Sequence, residues 1–275
     1  MTRPAPSSLA TWAVFPLLLA GVIAVTLFLL GRQLPPPLVS LSVLFGSAVV
    51  MLIVERLAPL HGSWNRAPDG LDLVLIVGNR LVDVAVIAAT TGLLAALHRK
   101  GLSPALLHLW PGQWPLLAQA ALGIGLAEIV RYTMHRLSHR AGLLGRIHHV
   151  HHQPRRMYTL NGPRLHPGNQ LWITIANVVP MLVLGASLPA VVLAANITTF
   201  FVLFQHANVN LRFDGLNQLL ATPDVHRLHH LRQMNGAPLA TPVNFGIVLL
   251  VLDRLMGTYA PARIEPGPDD IGPVI

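Results

Sequence analysis

The sequence predicts an all-α, multi-spanning membrane protein: a helical bundle of about four transmembrane helices plus a helical hairpin, topped by a cytosolic histidine-rich cap. Three observations carry this expectation. Of the 275 residues, 53% are hydrophobic and 11% charged, whereas soluble domains carry about a quarter charged residues. The apolar residues gather in runs close to the ~20 that a helix needs to cross a bilayer. Finally, six of the fourteen histidines fall between His135 and His152, directly behind one such run.

Four apolar stretches come first, at residues 11–30, 38–54, 71–97 and 115–134, with Pro- and Gly-rich breaks at 35–37, 59–70 and 101–112. The first stretch is long and leads into Arg32 and three prolines, not into a small-residue cleavage site. It therefore reads as a retained helix and not as a signal peptide. Arg80 and Asp83 in the third stretch lie three residues apart and can pair on one helix face. Two shorter apolar stretches, 171–184 and 188–204, flank Gly185 and form the expected hairpin. An even number of crossings between His166 and His206 returns both to the same side. Residues 1–114 are expected to form an N-terminal transmembrane region and 115–260 a histidine-bearing catalytic region. The Pro-, Gly- and Asp-rich tail, 261–275, is expected to be peripheral.

The formal charge of +8 comes almost wholly from arginine, since Lys100 is the one lysine. Nucleic acid is the first partner such a balance suggests. Here, however, the arginines sit beside membrane segments, where the positive-inside bias accounts for them, and no nucleic-acid partner is expected. Residues 131–166 hold seven arginines and no acidic residue, which places that segment in the cytoplasm. The absence of cysteine rules out disulfides, Cys-ligated iron–sulfur clusters and thiolate haem.

The histidine pattern carries the chemistry. His135 and His139 are four apart, so on a helix they stand about 40° apart around the axis, one turn above the other. His148-x-x-His151-His152 follows, and the same pattern returns as His226-x-x-His229-His230. His206 ends an apolar run on the same side and reads as a further ligand. His166 in RLHP reads either as a ligand or as a structural hydrogen-bonding group. His149 fits neither pattern, and His61, His98 and His108 read as surface histidines. Imidazole suits iron, zinc, copper and nickel. Nine or ten candidate ligands exceed the four of a structural zinc site, which favours two metals. Metal binding would also keep crowded imidazoles neutral.

The stretches GLAEIVRYTMHRLSH, GRIHHVHH, RLHP, QHANVN, TPDVHRLHH and NFGIVLLVLDRLMGTYAP, between Gly125 and Pro261, resemble the fatty acid hydroxylase/sterol desaturase superfamily of integral membrane di-iron enzymes. His135, His139, His148, His151, His152, His226, His229 and His230 fall on that superfamily's histidine boxes. The resemblance implies that they hold two iron ions and are catalytic. It further implies O2 as co-substrate and hydroxylation or desaturation of a membrane lipid, whether sterol, fatty acyl or related. Electrons would come from a separate protein of reductase, ferredoxin or cytochrome type, since no dinucleotide fingerprint is visible. Glu128, on the His135 face, and Asp224, before the last box, are expected to orient ligand histidines as second-sphere carboxylates. Other readings compatible with the pattern are carotenoid or ether-lipid hydroxylation, a metal transporter and a zinc-stabilised membrane scaffold. A transporter would place its ligands at the bilayer midplane, whereas these gather at helix ends.

Overall fold

The computed structural model describes residues 10–102, 105–140, 142–211, 213, 215–234, 237–238, 242–263 and 266–272. Its long helices are α1 (Ala10–Gly31), α2 (Pro36–Leu57), α3 (Gly70–Arg99), α4 (Leu116–Ser138), α6 (Pro167–Val183) and α7 (Leu188–His206). Three short ones, α5 (Leu143–His152), α8 (Pro223–His229) and α9 (Val251–Leu255), lie beyond their ends. Among the described residues the fold is all-helical apart from a two-residue ribbon pair, Gln233–Met234 with Ala237–Pro238.

Among the described residues, four helices are long and apolar enough to cross a membrane: α1 from Ala13, α2, α3 and α7. The number matches the sequence reading, but the membership differs. α4, expected as the fourth span, carries the buried Glu128–Arg131 pair and is not among them, while α7, expected as half of a hairpin, is. The difference is one of composition: α4 carries Glu128, Arg131 and Arg136 among its apolar residues, whereas α7 carries no Asp, Glu, Lys or Arg. α7 is the central helix, with 72% of its apolar window buried against 11% for α1 and α3. Its Phe200 and Phe204 rings lie tilted against Phe15 of α1, and Phe204 meets Phe213 edge-on. α1 and α3 instead expose large apolar side chains such as Phe28, Leu73, Val74 and Leu81. Such faces suit acyl chains as solvent.

One apolar core runs from Phe15 and Met51 through Ala120 and Ile124 of α4 to Met181 of α6 and Leu193 of α7. It therefore joins the two regions that the sequence separates at residue 114. The α6–α7 turn is set by Gly185 at φ +96°, where a Cβ would lie 1.9 Å from the Leu107 carbonyl. Only glycine satisfies both constraints. The pair foreseen on α3 is present, with Arg80 Nη1 2.7 Å from Asp83 Oδ2. Asp83 also accepts from Gln170 (2.7 Å) and Thr174 (2.5 Å), so it fastens α3 to α6.

Ends alternate so that one pole of the bundle collects the polar groups. There Glu55, near the end of α2, accepts the N–H groups of Thr159 (2.7 Å) and Asn208 (2.8 Å). Asp72, at the start of α3, takes Arg164 (2.7 Å) and the Tyr158 hydroxyl (2.7 Å). These buried carboxylates hold the segment after α5 against α2 and α3. The other pole carries Arg32, Arg99 and Lys100.

The tail is not peripheral. The Trp64 indole donates to Pro268 O (3.1 Å), Arg232 N–H donates to Asp270 O (2.9 Å), and Ile271 is 1% exposed beside Met157, Leu228 and Leu231. Prolines give up donors but keep carbonyls, which let this Pro-rich segment cap donors on the polar pole. Tail residues 264–265 and 273–275 lie outside the described residues.

Candidate metal centre

Nine histidines meet at the polar pole. His135 lies in the last turn of α4, and His139 caps that helix. His148, His151 and His152 form the end of α5. His206 ends α7, His226 and His229 lie on α8, and His230 caps α8. Their ring nitrogens divide into two groups, each with all ligand atoms within 4.8 Å of one another. One holds His135, His139, His148, His152 and His229, and the other holds His151, His206, His226 and His230. All nine are buried except His139, which is partly exposed.

Both groups cut across the sequence motifs. Each His-x-x-His-His run sends its first and third members to one group and its middle member to the other, in opposite senses. His148 and His152 join the five-histidine group while His151 leaves it; His226 and His230 join the four-histidine group while His229 leaves it. The helical repeat explains the division. Residues i and i+4 stand about 40° apart, whereas the middle residue turns about 100° from its immediate neighbour.

Hydrogen bonds to the outer ring nitrogens fix which way four of the imidazoles face. The Nδ1–H groups of His135, His206 and His229 donate to the carbonyls of Phe245 (2.7 Å), Val202 (2.7 Å) and Val243 (2.8 Å). His148 Nδ1–H donates to the Asn169 amide oxygen (2.8 Å). A carbonyl oxygen only accepts, so these Nδ1 atoms carry the proton and each Nε2 presents a bare lone pair inward. At His135 that lone pair is buried with no hydrogen-bond partner.

The inward nitrogens approach one another closely. In the five-histidine group, His139 and His229 Nε2 are 3.1 Å apart, as are those of His148 and His152. In the other group, His206 Nε2 stands 3.1 Å from His151 and 3.0 Å from His226, and His226 lies 3.2 Å from His230. His206 Nε2 has one lone pair, so it cannot receive full hydrogen bonds from both neighbours. Two nitrogens bound about 2.1 Å from one metal and at right angles lie about 3.0 Å apart, whereas tetrahedral angles separate them by about 3.4 Å. The observed spacing fits the first arrangement, and five ligands exceed a closed zinc tetrahedron. The donor set thus fits two metal ions of higher coordination. Burial among like groups also holds the imidazoles neutral: His148 and His229 are pushed down to about 3, and His151, His152, His226 and His230 well below their ordinary value, with desolvation the largest cause.

His166 stands apart. It is exposed, and its Nδ1 accepts the Gly168 N–H (3.0 Å) as the N-cap of α6. It serves the helix and belongs to neither group, because the proline at N1 leaves the next free N–H for the ring to cap. Glu128 does not reach His135, whose Nδ1 is taken by the Phe245 carbonyl. It pairs with Arg131 (2.5 Å) and accepts the Ile247 N–H (2.6 Å) of a loop instead. Asp224 accepts from Thr222 and from Asn217 (3.2 Å), securing the start of α8. The groups missed by sequence reasoning are Asn169 and the three backbone carbonyls. Carbonyls leave no trace in residue type, and Asn169 has only its position after the RLHP stretch to mark it.

Comparison with known proteins agrees with this geometry. The profile of the fatty acid hydroxylase family matches residues 120–258, which contain all nine histidines. The ornithine lipid hydroxylase OlsE of Rhizobium tropici is 30% identical over 236 residues, covering 84% of this chain and 69% of that protein. The alkylglycerol monooxygenase of Danio rerio is 29% identical over 155 residues, 55% of this chain and 32% of the relative. This chain thus matches about a third of that second relative's length. No solved structure matches. With half of its length matched by the family profile and the histidines gathered at one pole of a membrane-type bundle, the chain belongs to the fatty acid hydroxylase family.

Proposed function

We propose that this protein is a membrane-bound, O2-dependent di-iron hydroxylase of lipids. The observation that carries the reading is the pair of buried all-imidazole groups, five and four histidines, with nitrogen spacings of 3.0–3.2 Å. Two irons held there would activate O2 for R–H + O2 + 2 e⁻ + 2 H⁺ → R–OH + H2O, chemistry that no side chain provides unaided. The imidazoles present neutral lone pairs, the carbonyls of Val202, Val243 and Phe245 hold their orientation, and burial excludes water. Hydroxylation is preferred over desaturation because both relatives are named for oxygen insertion. A lipid with a polar headgroup and long acyl chains, with an ornithine lipid as the first to test, is the substrate class that the more fully aligned relative supports.

The polar pole faces the cytoplasm in this reading, in accord with seven arginines and no acid across residues 131–166. Exposed Arg140, Arg146 and Arg155 around α5 offer a docking face for a separate, acidic electron-transfer protein. Metal analysis and isotope labelling test the proposal together. Detergent-purified protein should carry about two irons per chain, directly or after anaerobic Fe²⁺ reconstitution. Membranes supplied with reductant, ornithine lipids and ¹⁸O2 should form a lipid with one ¹⁸O atom, and His229→Ala should not. A wild-type protein that takes up no metal, or a product whose oxygen comes from water, would overturn it.

A further inference from the structure

One loop touches two of the helices that supply the five-histidine group. Residues 243–249 send the Val243 carbonyl to His229 on α8 and the Phe245 carbonyl to His135 on α4, at 2.8 and 2.7 Å. Between them Asn244 adopts φ +56°, a left-handed conformation that asparagine tolerates better than most residues. Its amide ties the loop to Val225 O and Ala260 O, both at 3.0 Å.

Two buried carboxylates close on this loop from outside the metal groups. Asp253, 0% exposed, accepts the N–H groups of Phe245 and Gly246, both at 2.8 Å, and the Thr258 hydroxyl at 2.7 Å. Glu128, 2% exposed, accepts from Ile247 (2.6 Å) and Val248 (3.2 Å) while paired with Arg131. A buried carboxylate is costly unless hydrogen-bonded, so each is retained in a site where backbone donors satisfy it. Gly246 completes the fit, because a Cβ there would lie 2.3 Å from Leu249 O and 3.0 Å from Asp253 Oδ2.

We propose that Asp253, with Glu128, is a positioning residue for the five-histidine centre: by clamping loop 243–249 it sets the two carbonyls that hold His135 and His229 in their metal-binding tautomer and orientation. The inference rests on the metal reading above and adds an asymmetry to it. The loop's carbonyls reach ligands of one centre only, since the carbonyl that holds His206 of the four-histidine group is that of Val202 on α7. Outer-shell changes of this kind typically weaken metal affinity about 10–100-fold. In Asp253→Asn one accepting oxygen becomes a donor, so a loop N–H loses its partner at nearly unchanged volume. Gly246→Ala opens the same loop with both carboxylates intact.

The test is a Co²⁺ titration of the detergent-purified full-length chain, followed by the visible absorption of the bound ion. Two backgrounds isolate the centres: His226→Ala/His230→Ala leaves the five-histidine group, and His135→Ala/His139→Ala leaves the other. The expected result is that Asp253→Asn and Gly246→Ala each weaken Co²⁺ binding about 10–100-fold in the first background, change its spectrum, and leave the second background within twofold. Equal weakening in both backgrounds would mean a general structural role and overturn the proposal. So would unchanged binding in the first background, while leaving the metal reading intact. Failure of wild type to take up Co²⁺ would overturn the metal reading itself, and the proposal with it.

Discussion

At the residue scale, the fate of each histidine follows from which of its nitrogens is occupied. His206 donates from Nδ1 to the Val202 carbonyl one turn back and points Nε2 inward; His166 spends its Nδ1 on a helix cap and faces solvent. His206→Ala should therefore lose one of two metal equivalents. His166→Ala should keep both and cost about 1 kcal/mol or less as a lost cap, measured by elemental analysis and thermal unfolding. Gly162→Ala should act like a mild His206 substitution, because its Cβ would lie 2.3 Å from Val202 O and 2.9 Å from His206 Nδ1. Acid should act on the same side chains. His148 and His229 sit at about 3 in the folded chain, against 6.5 when unfolded, so the unfolded state binds more protons between those values. The stability of the metal-free protein should be full above pH 6.5 and fall as pH drops towards 3. Melting temperature in detergent against pH checks the sign; a rise on acidification would contradict it.

At the element scale, α4 is the hinge between membrane bundle and site. It ends in His135 and His139, yet its middle carries Arg131, 1% exposed, which bonds Glu128, Asn177 of α6 (2.8 Å) and Thr198 of α7 (3.2 Å). One guanidinium thereby couples three helices and the Glu128 clamp. Arg131→Met removes the partner of a buried carboxylate and should destabilise the fold by about 3–5 kcal/mol. The loss should appear as a large drop in thermal stability even in metal-free protein, which separates it from a ligand effect. The short helices α5 and α8 meet through their histidines, His151 and His152 against His230, while Val225 and Leu228 anchor α8 in apolar clusters of its own.

At the scale of the whole molecule, alternating helices place both histidine-bearing ends and the segment after α5 at one pole, with Arg32 and Lys100 at the other. The chain contains no cysteine, so single substitutions report sidedness directly. Arg155→Cys should react with an impermeant thiol reagent from the cytoplasmic face and Lys100→Cys from the opposite one; labelling of both from the same side would refute this arrangement. Metal ions that bind only the folded chain stabilise it by mass action, about 2.7 kcal/mol when free metal is a hundredfold above the dissociation constant. Chelation should lower the melting temperature accordingly.

Much of this was legible in the residues. Run length and low charge dictate a helical membrane bundle, since a chain in lipid must satisfy its backbone internally. Imidazole spacing of three and four residues marks a metal-binding helix end, because local periodicity is a property of the chain itself. Tertiary structure alone decided how the histidines are shared. Whether His151 joins His148 or His206 depends on which way α5 faces α7 and α8, and no spacing within one motif encodes that. It also decided that Pro268 and Ile271 pack on Trp64 and Met157, and that His166 caps a helix. The carbonyls of Val202, Val243 and Phe245 complete the case. Every residue has such an oxygen, so only the fold can choose the ones that face a histidine.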